Sequence, residues 1–389
     1  MPSSLTTVLA RHQHAVADFT DADLPSLRQA LSAVTDPRKP RGVRYVFTDL
    51  LLVFAAAVIS GAASLTMIAE WASTAKSRGI LPSFGAVPSV ATIHRVAGLV
   101  DPVAFDAAIG AWIAARIRRG HSQQDAALAA IAIDGKELRG TKHGGGTKTY
   151  LMAAMDHATG TVLAQESVGE KTNEIPHFPE LISTLGPLKN TVITADAMHT
   201  LAQQARAVTD AGGHYLFTVK TNAKTLHTQI SQAGWARRKP GYQHREKAHG
   251  RISTWSLSAI NAPRYVQFPG AAQIIRVHRG REDTSQDTEA STGEFVYAIT
   301  SLPAKQASPK TLARLIRGHW GIENRLHWVR DTAYREDASQ VRKGTTAHLM
   351  ASLRNLAISI HRLTGQPNIT AALRHYARDP ELAAELTGL

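Results

Sequence analysis

Residues 130–140, AIAIDGKELRG, decide how this chain is read. Ala130, Ile131, Ala132 and Ile133 form a short apolar run after the polar linker GHSQQDAA (120–127). A run of that length reads as a buried strand over Leu128–Ile133. Asp134 ends the run, and Gly135, Lys136, Glu137, Leu138 and Arg139 follow at once. A second stretch, TVITADAMHT (191–200), has the same form: a strand over Thr191–Ala195 that ends at Asp196. Carboxylates at the C-terminal ends of strands in an open α/β sheet project into the crevice where such sheets bind ligands. An aspartate before a glycine is also an ordinary turn residue, so Asp134 taken alone supports either reading.

Outward from these two strands, the periodicity changes along the chain. Before residue 126 it is helical. A short amphipathic helix is expected over Asp23–Ala33 with Asp23 as N-cap, then apolar helices over Phe47–Ser60 and Leu65–Thr74, one within 88–100, and one over Val103–Arg119. After it, Thr149–Met155 and Gly160–Ser167 read as a hairpin, Ile175–Leu185 and Thr200–Ala211 as helices, and His214–Val219 as a strand. Residues 221–294 are polar and basic, with strand-like pieces at Ile252–Ile260 and Gln273–His278, and read as a β-rich insertion. Phe295–Thr300 returns to strand, and helical periodicity resumes through 308–331 and Thr345–Leu363. The alternation implies a mixed α/β sheet. Four segments follow: a helical N-terminal domain (1–125), a first catalytic-type segment (126–220), the insertion (221–294), and a closing segment (295–389).

The chain has 389 residues, 44 Lys and Arg against 31 Asp and Glu, and no cysteine. The net charge of +13 points to a polyanionic partner, nucleic acid before an anionic membrane. The absence of cysteine excludes disulfides, zinc–thiolate sites and thiol nucleophiles. Leu50–Ala69 carries no charge, but Ser60-Gly61-Ala62-Ala63-Ser64 interrupts it, so two buried helices joined by a turn are expected rather than a membrane span. No basic-then-apolar leader opens the sequence, and no signal peptide is expected.

A third carboxylate, Glu323 in RGHWGIENRLHW, lies one helical turn from His319 and one from His327. Three acids without thiols favour hard cations bound through oxygen, Mg²⁺ or Mn²⁺. Two such ions can activate a water or a 3′-hydroxyl and stabilise the leaving oxygen of a phosphodiester. On this reading Asp134, Asp196 and Glu323 are catalytic metal ligands, and Lys136 and Arg139 meet phosphates. Lys171, Asn173, Lys220 and Asn222 flank sheet elements and are further candidates for phosphate contact. So is the basic run Arg237, Arg238 and Lys239. Arg95, with Thr92 and His94, would face a DNA groove if 88–100 is the second helix of a helix-turn-helix. Trp235 and Trp255 could stack on an unpaired base or simply pack in the core. No Gly-rich phosphate loop, HExxH pair or nucleophile elbow is present in the sequence.

The order Asp…Asp…Glu, with DPRKPRGVRY, SLTMIAEWA and PSVATIHRV before it and AIDGKELRGT, VGEKTNEIPHFPELI, ITADAMHT, YLFTVKTNAKTL and HWGIENRLHWVRDTAYREDAS within it, resembles the DDE transposases of bacterial insertion sequences, specifically the ISAs1 family of the IS4-like group. The resemblance covers nearly the whole chain. It implies an RNase H-like fold: a mixed five-stranded sheet with flanking helices, interrupted by a β-rich insertion before the last acid. It implies a dimer acting on paired DNA ends, two Mg²⁺ or Mn²⁺ ions, and double-stranded DNA (terminal inverted repeats and target) as partner. It implies a cytoplasmic protein, nucleoid-associated when on DNA. The wider group carries a Tyr-x2-Arg-x3-Glu-x6-Lys signature; here its positions fall on Ile316, His319, Glu323 and Arg330, so His319 and Arg330 become candidates for phosphate contact. Glu336 in YREDAS is the nearest competing acid. Two other functions remain open at this point: a domesticated, catalytically silent DNA-binding relative, and a structure-selective RNase H-like nuclease.

Overall fold

The computed structural model describes residues 24–81, 83–121, 128–139, 149–168, 174–235, 238–248, 251–283, 292–341 and 344–389. Asp23, Lys171, Asn173 and Arg237, singled out above, lie outside these residues. In chain order the elements are α1 (Leu27–Leu31), α2 (Phe47–Ile59), α3 (Leu65–Ser77), α4 (Val90–Ala97), α5 (Pro102–His121), β1 (Ala129–Leu138), β2 (Thr149–Asp156), β3 (Val162–Val168), α6 (His177–Leu185), β4 (Thr191–Ala195), α7 (Ala202–Asp210), β5 (His214–Val219) and α8 (Lys224–Ser231). They continue with β6 (Tyr242–Ala248), β7 (Arg251–Asn261), β8 (Gln273–Asp283), β9 (Thr292–Thr300), α9 (Pro309–His319), α10 (Trp328–Thr332), α11 (Thr346–Leu363), α12 (Ile369–Arg378) and α13 (Pro380–Thr387).

Two compact units emerge. The first comprises Met1–Asp125, Gly135–His177 and Ile322–Leu389; the second comprises Ala126–Asp134 and Phe178–Gly321. Strand β1 contributes its first residues to one and its last to the other.

The first unit is built on α2. Every residue of α2 except Thr48 is buried. A helix that is apolar all round must be covered all round, and α11, α13 and α3 supply that cover. This is why Leu50–Ala69 looks long enough for a bilayer by composition: it is a core helix, a turn, and the start of α3, which Ser64 caps by accepting from the Met67 N–H. No single described helix is long and apolar enough to cross a membrane. Helix α1 starts later than expected, because Ser26 forms a capping box with Gln29. Helix α5 packs on β3 so closely at Gly110 that a Cβ there would stand 2.3 Å from the Leu163 carbonyl oxygen. The hairpin β2–β3 turns at Gly160, whose φ of +74° suits glycine.

The second unit is a sheet with the order β1-β4-β5-β9-β8-β7-β6. Strands β1, β4 and β5 are parallel, and β9, β8, β7 and β6 follow in antiparallel register. In the first unit the order is β3-β2-β1. The orders 3-2-1 and 1-4-5 are those an RNase H-like sheet has. The expected five strands are therefore present, but the sheet does not stop at β5. The free edge of β5 is taken by β9, and the insertion strands extend the same sheet. A paired edge is safer than an exposed one, and that is the physical reason for the extension. The insertion also begins with a helix, α8, which the polar composition of 221–231 concealed. Helix α9 lays Leu312, Ala313, Leu315 and Ile316 into a core with Val192, Leu216, Leu257, Ile275 and Val277. Each large side chain so buried contributes roughly 1.5–3 kcal/mol.

Candidate active site

Asp134 and Asp196 are brought together by strand register. In the parallel pair β1–β4, Ile133 lies opposite Ala195, and the two aspartates are the next residue on each strand. Adjacent strands run about 4.8 Å apart, so the two carboxylates leave neighbouring points of one sheet. Both are half-buried. One expectation needs correcting. Asp134 is not at a strand tip, because β1 continues to Leu138 after its pairing with β4 has stopped. Asp196 does end β4, and its Oδ1 accepts the Met198 N–H at 3.0 Å, capping a single 3₁₀ turn over Ala197–His199. That turn is held from two sides. Asn222 donates its amide to the Ala197 carbonyl at 2.7 Å, and Thr200 donates its hydroxyl to the Thr218 carbonyl at 2.6 Å. Asn222, expected at phosphate, is thus a brace for the Asp196 turn.

Gly135 answers why a glycine follows Asp134. A Cβ on it would lie 2.1 Å from a carboxylate oxygen of Glu174, so Glu174 packs over bare backbone. Sequence reading passed over Glu174; its neighbours Lys171 and Asn173 drew attention as the polar residues of that loop. The cations behind Asp134 have acidic partners of their own. Lys136 Nζ lies 2.7 Å from Asp331 Oδ2, and Arg139 lies 3.3 Å from Asp337. With its side chain 9 % exposed, Lys136 is committed to Asp331 rather than open to DNA; Arg139, at 72 %, stays accessible. Burial, reinforced by the like charge of Asp331, holds the Asp337 carboxyl above the usual carboxylate range despite Lys136.

Glu323 belongs to the first unit. Between α9 and α10 the chain makes one π-helical turn over Glu323–His327, a feature found mostly at functional sites. The Glu323 side chain is 66 % exposed, and its Oε2 is 3.1 Å from His327 Nδ1. The hydrogen bond from His327 holds the Glu323 carboxyl below its ordinary value against the opposing effect of burial, and the charge of Lys136 adds to it. Glu323 is therefore ionised and presented.

The three other signature positions behave differently. Ile316 is buried in the core under the sheet, where a tyrosine hydroxyl would need a partner. His319 is buried and hydrogen-bonded to Thr194 at 3.1 Å. Arg330 is 0 % exposed; it donates to Glu336 at 2.8 Å and to Asn355 at 3.3 Å. The expectation of phosphate contact at Arg330 is corrected: it has no surface to offer, and its role is to neutralise Glu336. His319 likewise offers DNA no surface. Trp235 is core as well, 3 % exposed with its indole N–H given to the Ile230 carbonyl. Trp255 packs edge-on to Trp320 at 5.3 Å. Lys220, Arg238 and Lys239 are exposed.

Arg95 is exposed on α4, which Ser89 caps. It borders a groove of about 700 Å³ with Lys39, Arg41 and Arg44 from the preceding loop. Arg38 fixes that loop: it pairs with Asp36 at 2.8 Å and donates to the Tyr45 carbonyl at 2.8 Å.

Residues 126–360 match the family described as "Transposase DDE domain", and residues 28–113 match the family described as "DDE_Tnp_1-associated". The chain belongs to the DDE-domain transposase family. It is 29 % identical over 351 residues to the "Putative transposase YncI" of Escherichia coli O157:H7, covering 87 % of this chain and 88 % of that one. It is 28 % identical over 372 residues to the "H repeat-associated putative transposase YhhI" of Escherichia coli K12, covering 92 % and 95 %. Among solved structures, a piggyBac transposase synaptic complex with hairpin DNA overlays with a TM-score of 0.41 at 12 % identity, over 97 % of this chain and 80 % of that one. The DDE family is one of DNA strand-transfer enzymes that use a divalent metal. The donors of the second unit fit such an ion: Asp134 and Asp196 offer hard carboxylate oxygens, and the sequence holds no thiol.

Proposed function

We propose that this protein is the transposase of an ISAs1-type bacterial insertion sequence: it binds the terminal inverted repeats of its own element, cuts a strand at each end and joins the freed 3′-hydroxyl to target DNA. The observation that carries the reading is the placement of Asp134 and Asp196 on adjacent parallel strands, one residue beyond the last pair, in a DDE-family chain.

Asp134, Asp196 and Glu323 are assigned as the ligands of two Mg²⁺ or Mn²⁺ ions. When bound, such ions supply activation of the attacking oxygen and stabilisation of the leaving one. The chain's own contribution is placement. The strand register fixes the two aspartates, Asn222 and Thr200 brace the turn behind Asp196, and His327 hydrogen-bonds the Glu323 carboxylate. End binding is assigned to the N-terminal region, where Lys39, Arg41, Arg44 and Arg95 border one groove with no acidic lining residue among the described residues. Arg139, Lys220, Arg238 and Lys239 are assigned to backbone contact. The active form is a homodimer on paired ends at the nucleoid.

The test is cleavage of labelled DNA spanning each natural end of the gene's locus, with Mg²⁺ or Mn²⁺. Nicks at a fixed end position are expected in the wild type and absent in Asp134→Asn, Asp196→Asn and Glu323→Gln, with end binding retained in all three. Full activity in Asp196→Asn sinks the assignment. Specific binding without any nick in the wild type makes the protein a silent DNA-binding relative; cutting without regard to the ends makes it a nuclease.

A further inference from the structure

The most exposed tryptophan in the chain is Trp328, at 60 %. It stands on α10, at the end of the π turn that begins with Glu323. It borders an open groove of about 890 Å³ in the first unit. Three arginines, Arg325, Arg362 and Arg374, line the same groove, and among the described residues no acidic one does.

Two of these guanidinium groups are built into the wall. Arg325 donates to the His157 carbonyl at 2.8 Å and the Thr159 carbonyl at 2.6 Å. Arg362 donates to the carbonyls of Gly160 and Arg325. Gly160 makes this possible, since a Cβ there would lie 2.6 Å from the Arg325 guanidinium. The hydrogen-bond acceptors that anchor both cations are backbone carbonyls. Burial, then the adjacent Arg325, pushes Arg362 down to about 10. Two like charges held side by side in a partly desolvated wall repel each other, and an anion in the groove relieves that repulsion. Arg374 stands exposed on α12.

We propose that this groove binds an unpaired DNA strand, with a base stacked on Trp328 and the phosphates held by Arg374 and the Arg325–Arg362 pair. An indole face in solvent beside phosphate-binding cations is the combination that single-strand sites use. A base inside a duplex is already stacked on its neighbours and cannot reach the indole. The occupant is taken as DNA because this inference rests on the transposase reading, in which strands are separated from their ends. It gives Trp328 the stacking role that the buried Trp235 cannot fill.

The experiment uses the full chain in EDTA, so that no cutting interferes. Fluorescence anisotropy reports binding of a labelled oligothymidine of about 15 nucleotides, within the range of known single-strand sites. A labelled duplex carrying one natural end is measured in parallel. Trp328→Ala is expected to bind oligothymidine about tenfold more weakly, the loss of one stacked base, with Trp328→Phe keeping most of the affinity. Arg374→Ala should reduce the slope of log affinity against log salt by about 0.7, one released counterion on a single strand. Duplex binding should not change in any variant. The groove assignment is overturned if the wild type ignores oligothymidine, or if Trp328→Ala binds it as the wild type does. Those results leave the transposase reading intact when natural ends are still cut with metal. Conversely, tight oligothymidine binding lost in Trp328→Ala, together with no recognition of the natural ends, sinks the transposase reading and keeps the groove.

Discussion

Glu323 and Glu336 are thirteen positions apart in the first unit, and the fold treats them in opposite ways. Glu336 is 3 % exposed and sits between two buried guanidiniums, Arg330 and Arg354, each at 2.8 Å. Burial alone would raise its carboxyl; the two arginines, with Lys136 beyond them, hold it below the ordinary value. Glu323 is 66 % exposed and has a histidine for its neighbour. One carboxylate is fully neutralised inside the protein, while the other is ionised and turned outward. A metal ion can be met by the second and not by the first. The difference separates two acids that the sequence presents as competitors for one role.

The comparison breaks most sharply under substitution of the acids themselves. Glu323→Gln removes an exposed charge, so stability should move by less than about 0.5 kcal/mol while end cleavage is lost altogether. Cleavage on labelled ends and a urea melt, run on the same preparation, check both halves. Retained cleavage would move the third ligand elsewhere.

Glu336→Gln should do the reverse to the fold. It leaves Arg330 and Arg354 facing each other in the core without an anion, and breaking a buried pair in this way costs about 3–5 kcal/mol. Equilibrium unfolding in urea measures it. The loss should extend beyond one contact, because Arg330 also donates to Asn355, Asn355 donates to Gln165 at 2.7 Å, and Gln165 donates to Asp106 at 3.2 Å. That chain of hydrogen bonds ties α10, α11, β3 and α5 together. A melt unchanged within about 0.5 kcal/mol would mean the network contributes little.

What could be read from the sequence divides along the same line. Buried strands announced themselves by composition: Thr191–Ala195 and His214–Val219 have the bounds expected of them, and the two aspartates followed from where the apolar runs stop. What periodicity could not supply was who pairs with whom across long separations. Arg330 looked like a phosphate ligand because it falls on a basic position of the family signature, yet its partners lie at 336 and 355. Lys136 looked free behind Asp134, yet Asp331 neutralises it from 195 positions away. Trp235 and Trp328 are the same letter, and only packing decides which is in solvent. Helix α8 was hidden because its apolar anchors, Leu226 and Ile230, are few and the rest is polar.

Acid sharpens the contrast between the two glutamates. The folded Glu336 carboxyl lies below its unfolded value, so its stabilisation is fully present above that unfolded value, about 4.3, and is lost as pH falls through the folded one. Wild-type stability should therefore decline in acid below about pH 4.3, and Glu336→Gln, which has no proton to take up there, should lack that share of the decline. The gap between the two proteins closes as the pH falls. Urea midpoints measured from neutral pH downward test this, and a gap that stays constant would contradict it.

The smallest effect concerns Glu323 itself. His327 supplies the largest part of what keeps its carboxyl low, and Lys136 a lesser part. His327→Phe keeps a ring in a buried position but removes the donor. The Glu323 carboxyl should then titrate at a higher pH, nearer the ordinary glutamate value, without passing it as far as burial alone would push it, because Lys136 still acts. A carboxyl-selective NMR titration of Glu323 reads the shift directly, free of any bound metal. If the titration does not move, the field of Lys136 holds the acid and the histidine is packing. If it does, a single hydrogen bond across one π turn is what distinguishes this exposed carboxylate from an ordinary surface glutamate, as two guanidiniums distinguish Glu336 from an ordinary buried one.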